Sequence, residues 1–139
     1  MVNDTATLVD TNVLLDVFSD DPEWADWSSS ALADAHDIGR LVINPIVFAE
    51  LSIRFDSPEM LDAALSALDI ERDDLPYEGA FAAGAAYLQY RRRGGSRGSS
   101  LPDFYIGAHA LARGYRVLSR DGARYSTYFP DVTVISPTS

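Results

Sequence analysis

Four carboxylates stand at positions where a folded chain gathers chemistry: Asp10, Glu50, Asp103 and Asp121. Asp10 closes the apolar run Thr5-Ala-Thr-Leu-Val9, and in an open parallel sheet sites form beyond the carboxyl ends of strands. The same residue would also serve as an N-cap for a following helix. Glu50 falls on the helical stripe Ile46–Glu50–Ile53, with Phe48, Leu51 and Phe55 on the other side. A lone carboxylate on an inward face is costly unless something pairs with it. An i,i+4 pair with Arg54 is the structural alternative, but such pairs belong on exposed faces, so Glu50 is read as an acid facing a cleft. Asp103 follows Leu101-Pro102 at a helix start, where Ser100-x-x-Asp103 also fits a capping box. Asp121 follows the strand Tyr115–Leu118 in Ser119-Arg-Asp-Gly122, a sequence that also fits a turn. Each acid is ordinary by itself; the constellation is not. Converging carboxylates repel by about 4 kcal/mol per pair at ~4 Å and an effective dielectric near 20. Either some of them stay protonated or a divalent cation holds them together. Oxygen-only ligation selects Mg²⁺ or Mn²⁺ over Zn²⁺, and such a site suits hydrolysis of a phosphodiester.

The elements that must position these acids follow from short apolar runs alternating with helical periods, the pattern of an α/β domain. Thr5–Val9, Leu41–Ile43, Tyr115–Leu118 and Val132–Ile135 read as strands, with a further one near Leu68–Arg72. Three helices open on the same device, a capping residue followed by proline: Asp21-Pro22, running toward His36, then Asn44-Pro45 and Ser57-Pro58. Pro76 opens a helix carrying Phe81, Ala85 and Leu88, rich enough in Ala and Gly for a neighbour to approach closely. Arg91–Ser100 has the composition of an exposed loop. A helix then runs from Pro102 to about Arg113, stopped by Gly114. Asp121-Gly122 reads as a turn. His109, ~240° around its helix from Asp103, is expected as a packing or surface residue, and Trp24 and Trp27 as core.

Composition narrows the chemistry further. The 139 residues contain no cysteine and no lysine, and all 11 bases are arginine. Disulfides, thiolate zinc sites, Walker-A ATPases, Schiff-base enzymes and Ser–Lys hydrolases are therefore excluded. The only histidines are His36 and His109, too few for a three-histidine metal site. With 47% hydrophobic residues the chain is expected to fold as one domain, residues 1–139. The longest apolar run, Phe81 to Leu88, is far short of the ~20 residues of a spanning helix. Asp4 stands where a signal peptide carries a basic flank, so the expected location is the cytoplasm, with no membrane association. The net charge of −10 is unevenly spread: residues 1–90 hold 18 acids and three arginines, residues 91–139 three acids and eight arginines. Arg91, Arg92, Arg93 and Arg97, with Arg120 and Arg124 beside Asp121, form a candidate track for a phosphate backbone. The alternative for Arg91–Arg93 is a helix C-terminus, where cations favour the dipole.

Four segments in order resemble the motifs of PIN-domain nucleases: Leu8-Val-Asp-Thr-Asn-Val-Leu-Leu-Asp16, Asn44-Pro-Ile-Val-Phe-Ala-Glu50, Leu101-Pro-Asp-Phe-Tyr-Ile-Gly-Ala-His-Ala110 and Leu118-Ser-Arg-Asp121. The chain is most similar to the VapC-type ribonuclease toxins of bacterial toxin–antitoxin pairs, and the resemblance extends through Arg124-Tyr-Ser-Thr-Tyr-Phe-Pro130. It implies a three-layer α/β/α domain with a central, mostly parallel sheet. It also implies that Asp10, Glu50, Asp103 and Asp121 are the catalytic, metal-binding quartet, with Mg²⁺ or Mn²⁺ held mainly by Asp10 and Asp103. Asn12 and Ser119 match supporting polar positions; Ser119 stands where threonine is usual, and either supplies a hydroxyl. The implied partners are an RNA substrate, a cognate antitoxin whose tail occupies the cleft, and a second copy in a homodimer. The alternatives are a PIN-fold RNA-processing nuclease without an antitoxin and a catalytically inert PIN-like binding module. A haloacid-dehalogenase-like phosphatase would need an Asp where Asn12 stands and a lysine that the chain lacks.

Overall fold

Strands buried on both faces read as continuous apolar runs rather than alternating ones, and three short segments built on Leu8-Val9, Leu41-Val-Ile43 and Val117-Leu118 do so. In the computed structural model, which describes residues 5–94 and 99–137, these are β1 (Thr7–Val9), β2 (Leu41–Ile43) and β4 (Arg116–Leu118). β3 (Ile70–Arg72) and β5 (Val134–Ile135) are shorter of apolar cover and lie at the edges. All pairings are parallel, in the order β3-β2-β1-β4-β5.

Seven helices complete the chain among the described residues: α1 (Thr11–Phe18), α2 (Ala25–Ile38), α3 (Pro45–Ser52), α4 (Pro58–Ala67), α5 (Tyr77–Arg92), α6 (Leu101–Arg113) and α7 (Gly122–Tyr128). Right-handed crossovers place α1–α4 on one face, because β1, β2 and β3 are laid down in one direction. The chain then returns past β1 to form β4, which sends α5, α6 and α7 to the other face. This is the expected α/β domain. Its winding reverses between β1 and β4, and the crevice at their carboxyl ends is where open α/β sheets place their sites. No helix among the described residues is long and apolar enough to cross a membrane.

The proline-opened helices start where their caps predict. Asn44 accepts a hydrogen bond from the Val47 N–H at 3.0 Å and Ser57 one from the Met60 N–H at 3.2 Å. Asp21 caps a turn instead, binding the N–H groups of Glu23 and Trp24, and α2 proper begins at Ala25. Gly114 ends α6 in the left-handed region at φ 72°, which favours glycine. The small residues of α5 meet α6 as expected: a Cβ at Gly79 would come within 2.9 Å of the Ala108 carbonyl oxygen.

Several expectations need correction. β1 begins at Thr7 and β5 at Val134, where the register with neighbouring strands starts, although the carbonyls of Ala6 and Thr133 already accept the N–H groups of Arg116 and Val117. Asp121-Gly122 opens α7 rather than making a simple turn, and buried Tyr125 anchors that helix to the core. Arg91 and Arg92 belong to the last turn of α5 and not to a loop, while Arg97 lies outside the described residues. Phe81 and Leu88 face outward from α5, whose buried face is Gly79, Ala83 and Ala86. Trp24 and Trp27 are half-buried, packed edge to face with ring centroids 6.3 Å apart.

Candidate active site

Asp10 leaves the end of β1 and turns its side chain back into the fold, where only 5% of it is exposed. It caps α1 by accepting the Thr11 N–H on Oδ1 at 2.8 Å. Its Oδ2 accepts the Ser119 hydroxyl at 2.8 Å and the Tyr125 hydroxyl at 2.9 Å. Both elements of the switch point thus hold one carboxylate, β1 by carrying it and the β4–α7 corner by hydrogen-bonding it. Three donors do not outweigh desolvation: burial raises the Asp10 carboxyl above its usual range.

Ser119 is the hinge of this corner. Besides donating to Asp10, its Oγ accepts the Asp121 N–H at 2.9 Å and faces the Asn12 amide at 3.4 Å. The Asn12 carbonyl oxygen accepts the Arg120 N–H at 3.1 Å. The two supporting polar positions therefore lock the start of α1 to the start of α7.

Glu50 arrives from the other direction, on the second turn of α3. The face of α3 that is buried is Val47 and Leu51, whereas Ile53 is 80% exposed. Glu50 is thus half-buried at the margin of the packed face, and not on an inward Ile46–Ile53 stripe. Its partner is the Thr11 hydroxyl, which donates to Oε1, and Arg54 makes no ion pair with it among the described residues. Burial raises the Glu50 carboxyl; the Thr11 bond opposes that, and the charges of Asp10 and Asp103 add to it.

Asp103 divides its two oxygens between both readings of the sequence. Oδ2 accepts the Ser100 N–H at 2.6 Å and the Ser100 hydroxyl at 3.2 Å, closing the capping box of α6. Oδ1 faces Arg124, 3.9 Å from its guanidinium. A cap and a site residue are one side chain here.

Asp10, Glu50 and Asp103 line a single cleft of about 470 Å³ with Thr11, Asn12 and Arg124. Asp121 does not line it; it stands at the rim, half-exposed, joined to the cleft by a 2.8 Å ion pair to Arg124. Sequence reasoning did not single out Thr11, Tyr125 or Ser99, whose hydroxyl accepts the Arg124 Nε–H at 3.1 Å. Thr11 sits inside the Asp-Thr-Asn triplet, a signal within reach; Tyr125 depends on α7.

The arginines divide into those paired with carboxylates and those without such a pair, although Arg91 donates to the Tyr87 hydroxyl at 3.2 Å and Arg93 lies 5.6 Å over the Tyr128 ring. Arg120 binds buried Asp16 through Nε and an Nη, at 2.7 and 3.0 Å, and stacks 5.1 Å over the Trp24 ring. Arg124 is held by Asp121, Asp103 and Ser99. Arg91, Arg92 and Arg93 are exposed at the C-terminal end of α5. Exposed Arg54 lines the cleft.

The donor set fits a hard divalent cation. Three carboxylates face one cleft, and the most buried of them, Asp10, has hydrogen-bond donors around it but no ion pair among the described residues. Among the described residues no three His, Cys, Asp or Glu side chains form a ready-made cage, and Mg²⁺ does not require one, since it keeps several waters and takes one or two carboxylates.

The sequence profile of the PIN domain matches residues 7–129. Among solved structures, the chain is similar to VapBC2 from Rickettsia felis bound to a DNA fragment from their promoter, at 18% identity and TM-score 0.71, covering 94% of this chain and 98% of that one. It is also similar to a toxin–antitoxin complex from Klebsiella pneumoniae, at 21% identity and TM-score 0.71, covering 96% and 98%. VapBC-1 from nontypeable Haemophilus influenzae matches at 17% identity and TM-score 0.70, covering 96% and 99%. No curated protein matches the chain in sequence.

Proposed function

The chain belongs to the PIN-domain family of nucleases, and from that premise we propose that it is a divalent-cation-dependent endoribonuclease, the toxin of a toxin–antitoxin pair. The observation that carries the reading is the convergence of Asp10, Glu50 and Asp103 on one cleft at the switch point of the sheet. Asp10 and Asp103 would hold Mg²⁺ or Mn²⁺, with Glu50 beside them and Asp121 at the rim. When bound, the cation supplies charge neutralisation at the scissile phosphate and a more acidic water.

The chain's own residues do the rest. Ser119 and Tyr125 fix Asp10 in one rotamer, and the capping box fixes Asp103. Thr11 occupies Glu50 Oε1, leaving Oε2 to take a proton from the attacking water. The raised affinity of Glu50 for a proton suits that task.

The test is cleavage of RNA with Mg²⁺ or Mn²⁺ and with a chelator, by the wild type and by Asp103→Asn. Cation-dependent cleavage by the wild type, lost in the variant, is expected. Cleavage that survives either the chelator or the substitution overturns the assignment, and a wild type that cleaves nothing favours the inert binding module.

Two partners belong to the same reading. The three similar structures are toxin–antitoxin complexes, and on that likeness the partner is a cognate antitoxin, tested by co-purification with the product of an adjacent gene. Failure to co-purify favours an RNA-processing nuclease. The second partner is another copy. Tyr77 and Phe81 are 93% and 89% exposed on α5, with exposed Gly84, Ala85 and Leu88 on the same stripe. The helix carries Glu78 at its first turn and Arg91 and Arg92 at its last. Antiparallel pairing of two α5 helices about Gly84–Ala85 sets Phe81 of each copy against Leu88 of the other, with Glu78 itself already paired to Arg113. Sedimentation should give a dimer for the wild type and a monomer for Phe81→Glu; a monomeric wild type removes the second copy.

A further inference from the structure

The carboxylate cleft already contains a cation that the chain supplies. Arg124 lies one helical turn beyond Asp121 on α7, with its side chain 16% exposed. One Nη stands 2.8 Å from Asp121 Oδ2 and the other 3.9 Å from Asp103 Oδ1, while Nε donates to Ser99 Oγ at 3.1 Å. It lines the same cleft as Asp10 and Glu50, and its charge lowers the proton affinity of both carboxyls. We propose that Arg124 is the resident counter-cation of this cleft and competes with a divalent cation for Asp103. The proposal rests on the reading that the cleft takes such a cation.

Three features of the geometry support competition over simple bridging. Asp103 Oδ2 is committed to the capping box, so Oδ1, the oxygen facing Arg124, is the one left to bind a cation. The two contacts of the guanidinium are unequal, tight to Asp121 and loose to Asp103. Arg124 can therefore release Asp103 by a side-chain rotation and keep its Asp121 anchor. The only other arginine lining the cleft, Arg54, makes no ion pair with any of these acids among the described residues. The electrostatic balance of the cation-free cleft thus depends on one side chain.

Removing that charge should act in opposite directions on the free and the loaded protein. Without a cation, Asp10, Glu50, Asp103 and Asp121 lose their shared counter-charge and the fold weakens. With one, nothing competes for Asp103 and the cleft is more negative by one unit.

The experiment is calorimetric titration of Mn²⁺ into the wild type, Arg124→Gln, Arg124→Lys and Asp103→Asn, with Tm recorded for each with and without Mn²⁺. Arg124→Gln is expected to bind Mn²⁺ about tenfold more tightly than the wild type. It should also melt lower without Mn²⁺ and show a larger rise in Tm on adding it. Arg124→Lys keeps the charge but has no planar fork to span two carboxylates; it should bind Mn²⁺ more tightly than the wild type by a smaller factor, and it carries the test if the glutamine variant does not fold. If both Arg124 variants bind Mn²⁺ as the wild type does or more weakly, while Asp103→Asn loses binding, the proposal is overturned and the cation reading stands. If neither the wild type nor Arg124→Gln binds Mn²⁺, both fall together.

Discussion

Asp10 carries a charge that the cation-free protein would be more stable without. Its folded-state proton affinity is raised by burial, and so is that of Glu50. For an acid whose pKa is raised on folding, the folded state binds the extra proton, so the penalty is present above the raised value and vanishes below the ordinary one. Acidification through that window should therefore relieve both residues. Asp10→Asn, which removes the charge and keeps the shape, should melt at the wild-type temperature or about 2–4 °C higher in chelator, the shift that roughly 1 kcal/mol gives in a domain of this size. The same variant should lose at least about a hundredfold in cleavage. A variant that melts well below the wild type in chelator would make Asp10 a structural cap. At this scale much was legible: an acid at a strand end and an acid at a helix start are local signals, and Asp10 and Asp103 are found at those places. Glu50 reaches the cleft for a reason the spacing did not give, since Val47 and Leu51 bury α3 while Ile53 is exposed. Tyr125 was invisible, because it touches Asp10 only through a helix that local turn chemistry concealed.

Caps and tertiary pairing explain which elements could be read. α3 and α4 start at Asn44-Pro45 and Ser57-Pro58 because a capping side chain and a proline act within four residues. The ends of β1 and β5 depend on strands far away in sequence, and α7, at seven residues, is too short to show a period. One element contact has a pH signature. Asn44, whose carbonyl oxygen caps α3, bonds His109 Nδ1 of α6 through its amide at 3.2 Å. An amide donor there requires Nδ1 to be the unprotonated nitrogen. His109 is fully buried, with Nε2 3.6 Å from Asp73, and Arg113 and Tyr115 complete its charged and polar surroundings. Burial lowers its pKa; Asp73 opposes this and Arg113 reinforces it. A base whose pKa falls on folding leaves the unfolded chain holding more protons, so stability declines as pH drops below the ordinary value near 6.5. His109→Gln can still accept the Asn44 amide and cannot charge. Its Tm should fall less than that of the wild type between about pH 7 and pH 5, the window below the ordinary histidine pKa; parallel profiles would show that His109 does not couple α3 to α6.

At the scale of the whole molecule, a net charge of −10 must be reconciled with a polyanionic substrate. The eight arginines of residues 91–139 suggested a positive track beside the acids, but several are already neutralised. Arg120 is committed to Asp16, Arg124 to Asp121 and Arg113 to Glu78. In the first half, Arg40 and Arg72 pair with Glu71 and Asp62. Among the described residues, Arg54, Arg91, Arg92 and Arg93 are exposed and form no ion pair with a carboxylate. Arg54 borders the cleft, whereas Arg91–Arg93 end α5, where the helix dipole alone would favour them. Salt separates the two roles. On single-stranded RNA each phosphate contact contributes about −0.7 to the slope of log affinity against log salt. In an Asp103→Asn background that binds without cutting, replacing Arg91, Arg92 and Arg93 by Gln should flatten that slope by about 2. Replacing Arg120 by Gln should leave the slope unchanged and lower Tm, because its guanidinium is spent on buried Asp16 and the Trp24 ring. A slope unmoved by the triple substitution, with only a small loss of Tm, would assign Arg91–Arg93 to the end of α5 and leave Arg54, among the described residues, as the exposed arginine without a carboxylate partner that borders the cleft.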